Sequence, residues 1–281
     1  MSAKTSEKIA FFALRLCGYA VAVPILFIIG LLIVKGAPAL SLEFLLSAPR
    51  MGLKEGGIFP AIVGTVILVA FAISVALPLG VACAVYLNEY AGDNRLTRLI
   101  RLSIVNLAGV PSVVYGLFGL GLFVLFLGFG ASILSGSLTL AFLILPVVIT
   151  ASEEALTSVP KSFREASLAL GATKMQTILR VVLPNALPGM LTGAILGVSR
   201  AAGETAPILF TVAAFYLPRL PSSIFDQAMA LPYHLYIVST QVPGAPETVK
   251  YGTALVLVSL AFSLNLVAIV ARNRIRKQRK W

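Results

Sequence analysis

The chain has 281 residues, of which 58% are hydrophobic and only 12% are charged, and its formal net charge is +11. A soluble domain carries about a quarter charged residues, so this composition indicates an integral membrane protein. The basic residues form no stripe interleaved with exposed aromatic residues, which argues against nucleic-acid binding.

Two cysteines, Cys17 and Cys83, both fall in apolar stretches, where they are expected to pack as small hydrophobic residues. One histidine, His234, is too few for a metal cluster or a histidine-based triad. No phosphate-binding loop of the form G-x-x-x-x-G-K-[ST] occurs. We therefore expect a chain that is not an enzyme and binds no metal and no cofactor, so that any ATP is used by another subunit.

Six stretches are apolar and long enough to cross about 30 Å of hydrocarbon as helices. They are Phe12–Val34, Phe59–Leu87, Ile104–Leu127, Ile133–Ala151, Gly189–Tyr216 and Tyr251–Ala271. The fold class predicted from them is an all-α, polytopic membrane protein with six transmembrane helices. We divide it into an N-terminal anchor helix with an external loop (1–58), a core (59–271) and a basic tail (272–281).

The first span follows three basic residues, and Ala37-Pro38-Ala39 after it resembles a signal-peptide cleavage site. The alternative is a cleaved signal peptide. Because the apolar run is longer than the usual 7–15 residues of such a peptide, we favour a retained anchor.

The distribution of Lys and Arg predicts the orientation, since cytoplasmic loops carry the excess of positive charge. Sixteen positive residues lie on one side and five on the other. The first set is Lys4, Lys8, Arg15, Arg95, Arg98, Arg101, Lys161, Arg164, Lys174, Arg180, Arg272, Arg274, Arg276, Lys277, Arg279 and Lys280; the second is Lys35, Arg50, Lys54, Arg219 and Lys250. Both termini and the 152–188 loop are therefore predicted to be cytoplasmic.

Two loops are predicted on the external side. Residues 217–250 contain five prolines, and we expect an irregular loop with a short interfacial helix near Ser222–Ala230. Residues 36–58 contain three glycines close together, and we expect a similar irregular loop there.

Residues 162–184 form a polar, charged, helix-forming segment between apolar spans. Gly171 suits a helix C-terminal cap, and Thr173 followed by Gln176 fits a capping box. We predict helices at 161–170 and 174–183, broken at Gly171. The first would present Phe163, Ala166, Ser167 and Leu170 on one face, which suits docking into a groove of a soluble partner. The alternative is a plain connecting loop.

The fifth predicted span carries Arg200 and Glu204 near its middle, the charges that lie deep in a span. A lipid-facing Arg there would cost about 2.5–3.5 kcal/mol on insertion scales, so we expect the two residues to pair at helical i,i+4 spacing and to face the bundle. Pro207 removes the hydrogen bond to Gly203 and predicts an unwound turn beside the pair. A structural salt bridge is the alternative to a role in a transport path.

Small residues recur every four positions in the same span, which predicts close helix packing. The packing residues are Gly189, Gly193, Gly197, Ala201 and Pro207. In a transport path, the Arg200 guanidinium would bind an oxyanion in a bidentate manner, and Glu204 would neutralise Arg200 while the site is empty.

The segment Glu165-Ala166-Ser167, with Gly171, Val181 and Leu183-Pro184 at fixed distances after it, resembles the EAA motif of ABC-importer permeases. The chain departs from that motif at Ser167, where the family has Ala, and at Val181, where it has Ile. In the family, the segment is the coupling helix that contacts the ATPase. The resemblance implies that role for the loop at 156–188 and for Phe163, Arg164, Glu165, Ala166, Ser167 and Gly171.

A second resemblance is narrower. Ser199 to Pro207 is similar to the matching segment of phosphate-specific transport permeases, and closer to the PstA-type than to the PstC-type subunit. Val110–Leu120 and Tyr86–Ala91 add two matches, with Asn88 where the family often has Glu. The resemblance implies a substrate path through Arg200 and Glu204, to which we add the flanking Ser199 and Thr205.

That resemblance also implies a type I ABC-importer permease fold, MetI-like, in a bacterial inner membrane. The implied partners are a PstC-type permease, a PstB-type ATPase dimer and an external PstS-type protein that delivers inorganic phosphate. Three other possibilities remain open on the residues alone: a permease for another oxyanion such as molybdate or sulfate, a secondary transporter, and a membrane sensor.

Overall fold

The computed structural model describes residues 3–277, so the predicted basic tail 272–281 lies within the described residues only as far as Lys277. The helices are α1 (Ala3–Gly36), α2 (Leu42–Leu46), α3 (Phe59–Val85), α4 (Arg95–Ala108), α5 (Ser112–Gly119), α6 (Ile133–Thr157), α7 (Lys161–Ala169), α8 (Lys174–Thr177), α9 (Leu183–Gly203), α10 (Ala206–Thr211), α11 (Leu231–Thr240) and α12 (Glu247–Lys277). Two-residue strands β1 (Pro49–Arg50) and β2 (Glu55–Gly56) pair antiparallel in the first loop.

Five helices among the described residues are long and apolar enough to span a membrane, and the number is six when a bent helix pair is counted as one span. The bent pair is α4 with Ser112–Phe126, and its two parts meet at 103°. The predicted continuous third span from Ile104 to Leu127 is therefore wrong. Pro111 explains the bend, because it lacks an N–H and disfavours helical backbone at the residue before it.

The fifth span is also placed differently from the prediction. The helix that begins at Lys174 does not stop near 183; it passes through a π-helical turn at Ile178–Val182 and runs on to Gly203. A π-turn contains one extra residue. Here it comes before Pro184, so the helix continues although Pro184 has no N–H to donate to the preceding turn. At its far end the helix stops at Gly203, well before the predicted Tyr216.

Helix α6 is the centre of the bundle. Two thirds of its apolar window is buried inside the chain, whereas no residue in the apolar windows of α1 and α12 is fully buried. Leu143, Ile144 and Val148 of α6 are fully buried, and the most extensive helix contacts join α6 to α3 and to α9. A helix surrounded in this way fixes the positions of its neighbours.

We call the end of the bundle that carries α7 and α8 the α7 end, and the opposite end the α11 end. At the α11 end, residues 222–230 are not helical, so the predicted interfacial helix is wrong. The helix begins at Leu231, with Pro232 in its first turn, where a missing N–H has no consequence. Six of its ten residues are buried, and the Leu231 N–H donates to Thr65 Oγ1 of α3 at 2.8 Å.

Candidate functional site

The end of α9 carries the predicted charge pair. Glu204 follows the last helical residue and has extended backbone (φ −73°, ψ 133°), so it does not lie on the helix as predicted. Helix α10 then begins at Ala206 with Pro207 in its first turn. The unwound turn predicted beside Pro207 is therefore present, at Glu204 and Thr205.

Arg200 and Glu204 contact each other across this turn. Arg200 Nε lies 3.5 Å from Glu204 Oε1, with 29% and 16% of the two side chains exposed. Within residues 3–277, neither side chain has a hydrogen bond, so most of the five guanidinium N–H donors are unused. The pair is partly buried, electrically balanced and weakly held.

The small residues of α9 bring it against α6. A Cβ at Gly189 would lie 2.6 Å from Ala155 Cβ, and one at Gly193 would lie 2.7 Å from Ala151 Cβ. A Cβ at Gly197 would make only ordinary contacts, the nearest at 3.5 Å, while Ala201 and Pro207 are simply buried. Close approach is thus required at the first two glycines and not at the third.

Ser199 and Thr205 differ in their surroundings. The Ser199 hydroxyl donates to Asn265 Oδ1 of α12 at 2.7 Å. Thr205 precedes α10 at the N-cap position, but its side chain makes no capping hydrogen bond. Sequence reasoning missed Asn265, although a single amide in an otherwise apolar span was a visible signal.

The predicted coupling segment is a helix–turn–helix. Helix α7 ends before Gly171, whose φ of +81° is the left-handed conformation that favours glycine. Thr173 and Gln176 form the predicted capping box. The Ser167 and Thr177 hydroxyls are 2.9 Å apart and join the two helices. The predicted break at Gly171 and the start at 174 are confirmed.

The six predicted coupling residues do not share one face. Glu165, Ala166 and Gly171 are exposed, whereas Phe163, Arg164 and Ser167 are partly buried. Leu168 and Leu170, the latter 89% exposed, add apolar surface outward. Of the four residues predicted to form one docking face, Ala166 and Leu170 point out, and Phe163 packs against the cluster around Leu156.

Other polar groups fall outside these two regions. A cavity of about 580 Å³ at the α7 end is lined by Asn88, Arg101, Thr150, Glu153, Glu154, Thr157 and Ser158. Arg101 donates from Nε to Glu153 at 3.1 Å, a pair that sequence reasoning did not propose. In the described part of the chain, no group of three His, Cys, Asp or Glu residues is placed to hold a metal ion.

At the α11 end, Asp226 accepts hydrogen bonds from the Ser222 and Ser223 N–H groups and the Ser222 hydroxyl. These bonds hold the pKa of Asp226 below its ordinary value. His234 of α11 is 3% exposed, and burial lowers its pKa from 6.5 to about 4. Its Nδ1 has no hydrogen-bond partner.

Residues 76–280 match the family described as the binding-protein-dependent transport system inner membrane component. The chain belongs to this family. The match covers the C-terminal part of α3 and every element after it, including the coupling segment and the Arg200–Glu204 turn. The family is one of transport permeases, so the expectation that this permease is not an enzyme is consistent with it.

Two relatives show how far the likeness runs. The permease is 35% identical over 279 residues to the probable ABC transporter permease protein YqgI of Bacillus subtilis, covering 94% of this chain and 95% of that protein. It is 40% identical over 226 residues to the phosphate transport system permease protein PstA 1 of Mycobacterium tuberculosis, covering 80% and 72%.

Solved structures agree on the fold. A bacterial ABC transporter that imports alginate superposes with a TM-score of 0.68 at 14% identity, covering 97% of this chain and 98% of that one. The MetNI methionine ABC transporter gives 0.60 at 20% identity, covering 78% and 94%. The predicted all-α, MetI-like permease fold is confirmed.

Proposed function

We propose that this permease is the PstA-type membrane subunit of an ATP-driven importer of inorganic phosphate. The observation that carries the proposal is the Arg200–Glu204 pair at the unwound turn between α9 and α10, with its unused donors. The names of relatives from several organisms support phosphate as the substrate.

The chemistry of the pair suits transient binding of an oxyanion. A guanidinium presents a planar fork of donors that matches phosphate in a bidentate manner. Glu204 is an acceptor only, so it neutralises Arg200 in the empty site and competes with the anion for it. An anion held against such a competitor binds weakly enough to leave, which a translocation site needs.

The orientation follows from the positive charges. With both termini and α7 on the cytoplasmic side, as the positive-inside count favours, the exposed Glu165, Ala166 and Leu170 would face an ATPase. A PstB-type ATPase dimer hydrolyses the ATP in this proposal. A PstC-type permease completes the path, and an external PstS-type protein delivers phosphate.

The test is phosphate uptake into cells that carry the assembled transporter, with membrane insertion verified for each variant. Arg200→Ala is expected to lower uptake at least a hundredfold, Arg200→Lys less, and Glu204→Gln to alter both affinity and rate. The matched control is Arg219→Ala, which removes an exposed Arg from the α11-end loop and leaves uptake unchanged. Unaltered uptake in all three site variants would remove the pair from the mechanism.

Competition identifies the anion. We expect unlabelled phosphate to suppress uptake and sulfate or molybdate to have no effect at equal concentration. Suppression by sulfate or molybdate instead would assign the permease to another oxyanion.

A further inference from the structure

One side chain of the coupling helix is turned into the protein. Arg164 of α7 lies 2.7 Å from Glu89 Oε1 through its Nη2, with 19% and 9% of the two side chains exposed. Its Nε lies within 3.4 Å of both Glu89 oxygens. Glu89 belongs to the π-turn Tyr86–Tyr90 that ends α3, 75 residues earlier in the chain.

The Arg164 guanidinium also caps the C-terminal end of α6. Its Nη1 donates to the Val159 carbonyl at 2.8 Å, and its Nη2 donates to the Leu156 carbonyl at 2.9 Å. The last carbonyls of a helix lack partners within the helix and carry partial negative charge, so a cation is favourable there. Four of the five N–H donors of Arg164 thus have acceptors, on two different helix ends.

A second set of hydrogen bonds joins the ends of α3 and α6. The Asn88 amide donates to Glu89 Oε1 at 2.8 Å, and the Thr157 hydroxyl donates to Asn88 Oδ1 at 3.0 Å. Glu89 therefore reaches α6 both through Arg164 and through Asn88. We call Arg164, Glu89 and the carbonyls of Leu156 and Val159 the Arg164 junction.

We propose that the Arg164 junction makes α7 move as one body with the ends of α3 and α6, so that Arg164 and Glu89 are positioning residues that transmit motion of the coupling helix to the substrate turn. The inference rests on the proposed function. From α6 the contact continues through Gly189 and Gly193 to α9, which carries Arg200. A coupling helix tethered only by its loops would turn without moving α6.

A cross-link that leaves the junction intact tests the single-body motion. Tyr90 at the end of α3 and Met175 of α8 contact each other at 3.5 Å and are both exposed. Helix α8 is itself joined to α7 by the contact between the Ser167 and Thr177 hydroxyls. In a background with Cys17→Ala and Cys83→Ala, Tyr90→Cys with Met175→Cys is joined by a short bismaleimide in the assembled transporter. Phosphate uptake is expected to stay within twofold of the two single-cysteine proteins treated with the same reagent. A tenfold or greater loss on cross-linking would overturn the proposal.

Substitution tests transmission. Glu89→Gln is expected to lower the phosphate imported per ATP hydrolysed at least tenfold while ATP hydrolysis stays within twofold of normal. Glu7→Gln removes a carboxylate from the exposed surface of α1, outside the coupling segment, and is the matched control, with no expected change. Arg164→Lys keeps the charge but not the fork, so it should fall between the two.

Equal phosphate per ATP in Glu89→Gln and in the unaltered transporter would contradict the proposal. If Glu89→Gln does not assemble, the cross-linked protein decides. Failure of the proposed function is distinct, because the unaltered assembly would then import no phosphate at all.

Discussion

Two of the Arg–Glu pairs in the permease lie at different depths of the bundle, and they are built in opposite ways. At the α7 end, Arg164 has acceptors for four of its five N–H donors and contacts Glu89 at 2.7 Å. At the unwound turn, Arg200 has one contact, at 3.5 Å, with a residue only four positions away. The first arginine has one N–H donor left for a ligand, whereas the second has most of its donors left.

Two threonines repeat the contrast. Thr173 at the α7 end accepts a hydrogen bond from the Gln176 N–H and caps α8, whereas Thr205 at the turn precedes α10 without a capping bond. Polar groups in proteins are usually satisfied, and those that are not mark places where strain or a ligand is expected. The difference teaches that satisfied polar groups at the α7 end maintain shape, while unsatisfied ones at the turn are available for binding.

Glu89→Ala should show the largest difference in stability between the two pairs. It leaves the Arg164 guanidinium largely buried without its carboxylate, a change that typically costs about 3–5 kcal/mol. Glu204→Ala should cost less, because that pair is looser and more exposed. The measurement is the denaturant midpoint of each purified variant. Asp93→Ala, which removes a carboxylate from an exposed pair with Arg98, is the control and should have almost no effect. Equal losses in Glu89→Ala and Glu204→Ala would erase the distinction.

Gly193→Leu should move α9, which carries Arg200, away from α6. Even its Cβ would come within 2.7 Å of Ala151 Cβ, and overpacking of this kind costs about 1–3 kcal/mol. We expect a lower thermal midpoint together with reduced uptake. Gly197→Ala is the control, since its Cβ makes ordinary contacts and alanine favours helix. A midpoint for Gly193→Leu no lower than that of Gly197→Ala would show that close approach is not required.

His234 is a third case, a buried side chain whose Nδ1 has no hydrogen-bond partner. Its folded pKa of about 4 lies below the ordinary 6.5, so its contribution to stability is complete above pH 6.5 and is lost as the pH falls towards 4. Between pH 7 and pH 5 we expect a loss of about 2 kcal/mol, seen as a falling thermal midpoint. His234→Leu should remove that slope. Lys54 and Glu55 line the same small cavity, and a slope that survives in His234→Leu would assign it to one of them or elsewhere.

Thr173→Ala should give the smallest effect. Loss of an N-cap hydrogen bond costs about 1 kcal/mol, while Thr205→Ala, where no such bond exists, should cost clearly less. The appropriate measurement is hydrogen exchange of the α8 amides in Thr173→Ala and of the α10 amides in Thr205→Ala. Comparable changes in the two variants would mean that Thr205 is as constrained as Thr173.

Much of the fold follows from the sequence because it depends on local chemistry. Apolar length predicted the spans, Gly171 and Thr173 predicted the helix–turn–helix, and Pro207 predicted the unwound turn. The errors lie where tertiary packing outweighs local pattern. The bend at Pro111 was passed over because both flanks are apolar, and the π-turn before Pro184 allowed a helix to continue where a stop was expected.

The candidate site divides in the same way. Arg200 and Glu204 were identified because charges within an apolar span are conspicuous. The Arg164–Glu89 contact joins residues 75 positions apart, and nothing in their local sequence indicates it. Arg164 was assigned to the docking surface on the basis of its motif, and only the three-dimensional contacts show its side chain directed inward. The roles of all these residues stay predictions until the variants are measured.

The long separation within the Arg164 junction has a consequence for biogenesis. Glu89 leaves the ribosome 75 residues before its partner, which at about 5–20 residues per second is roughly 4–15 seconds. During that interval the carboxylate must stay hydrated, because enclosing it alone would be costly. The ends of the second and fourth spans, α3 and α6, therefore pack together at this junction only after α7 has been synthesised.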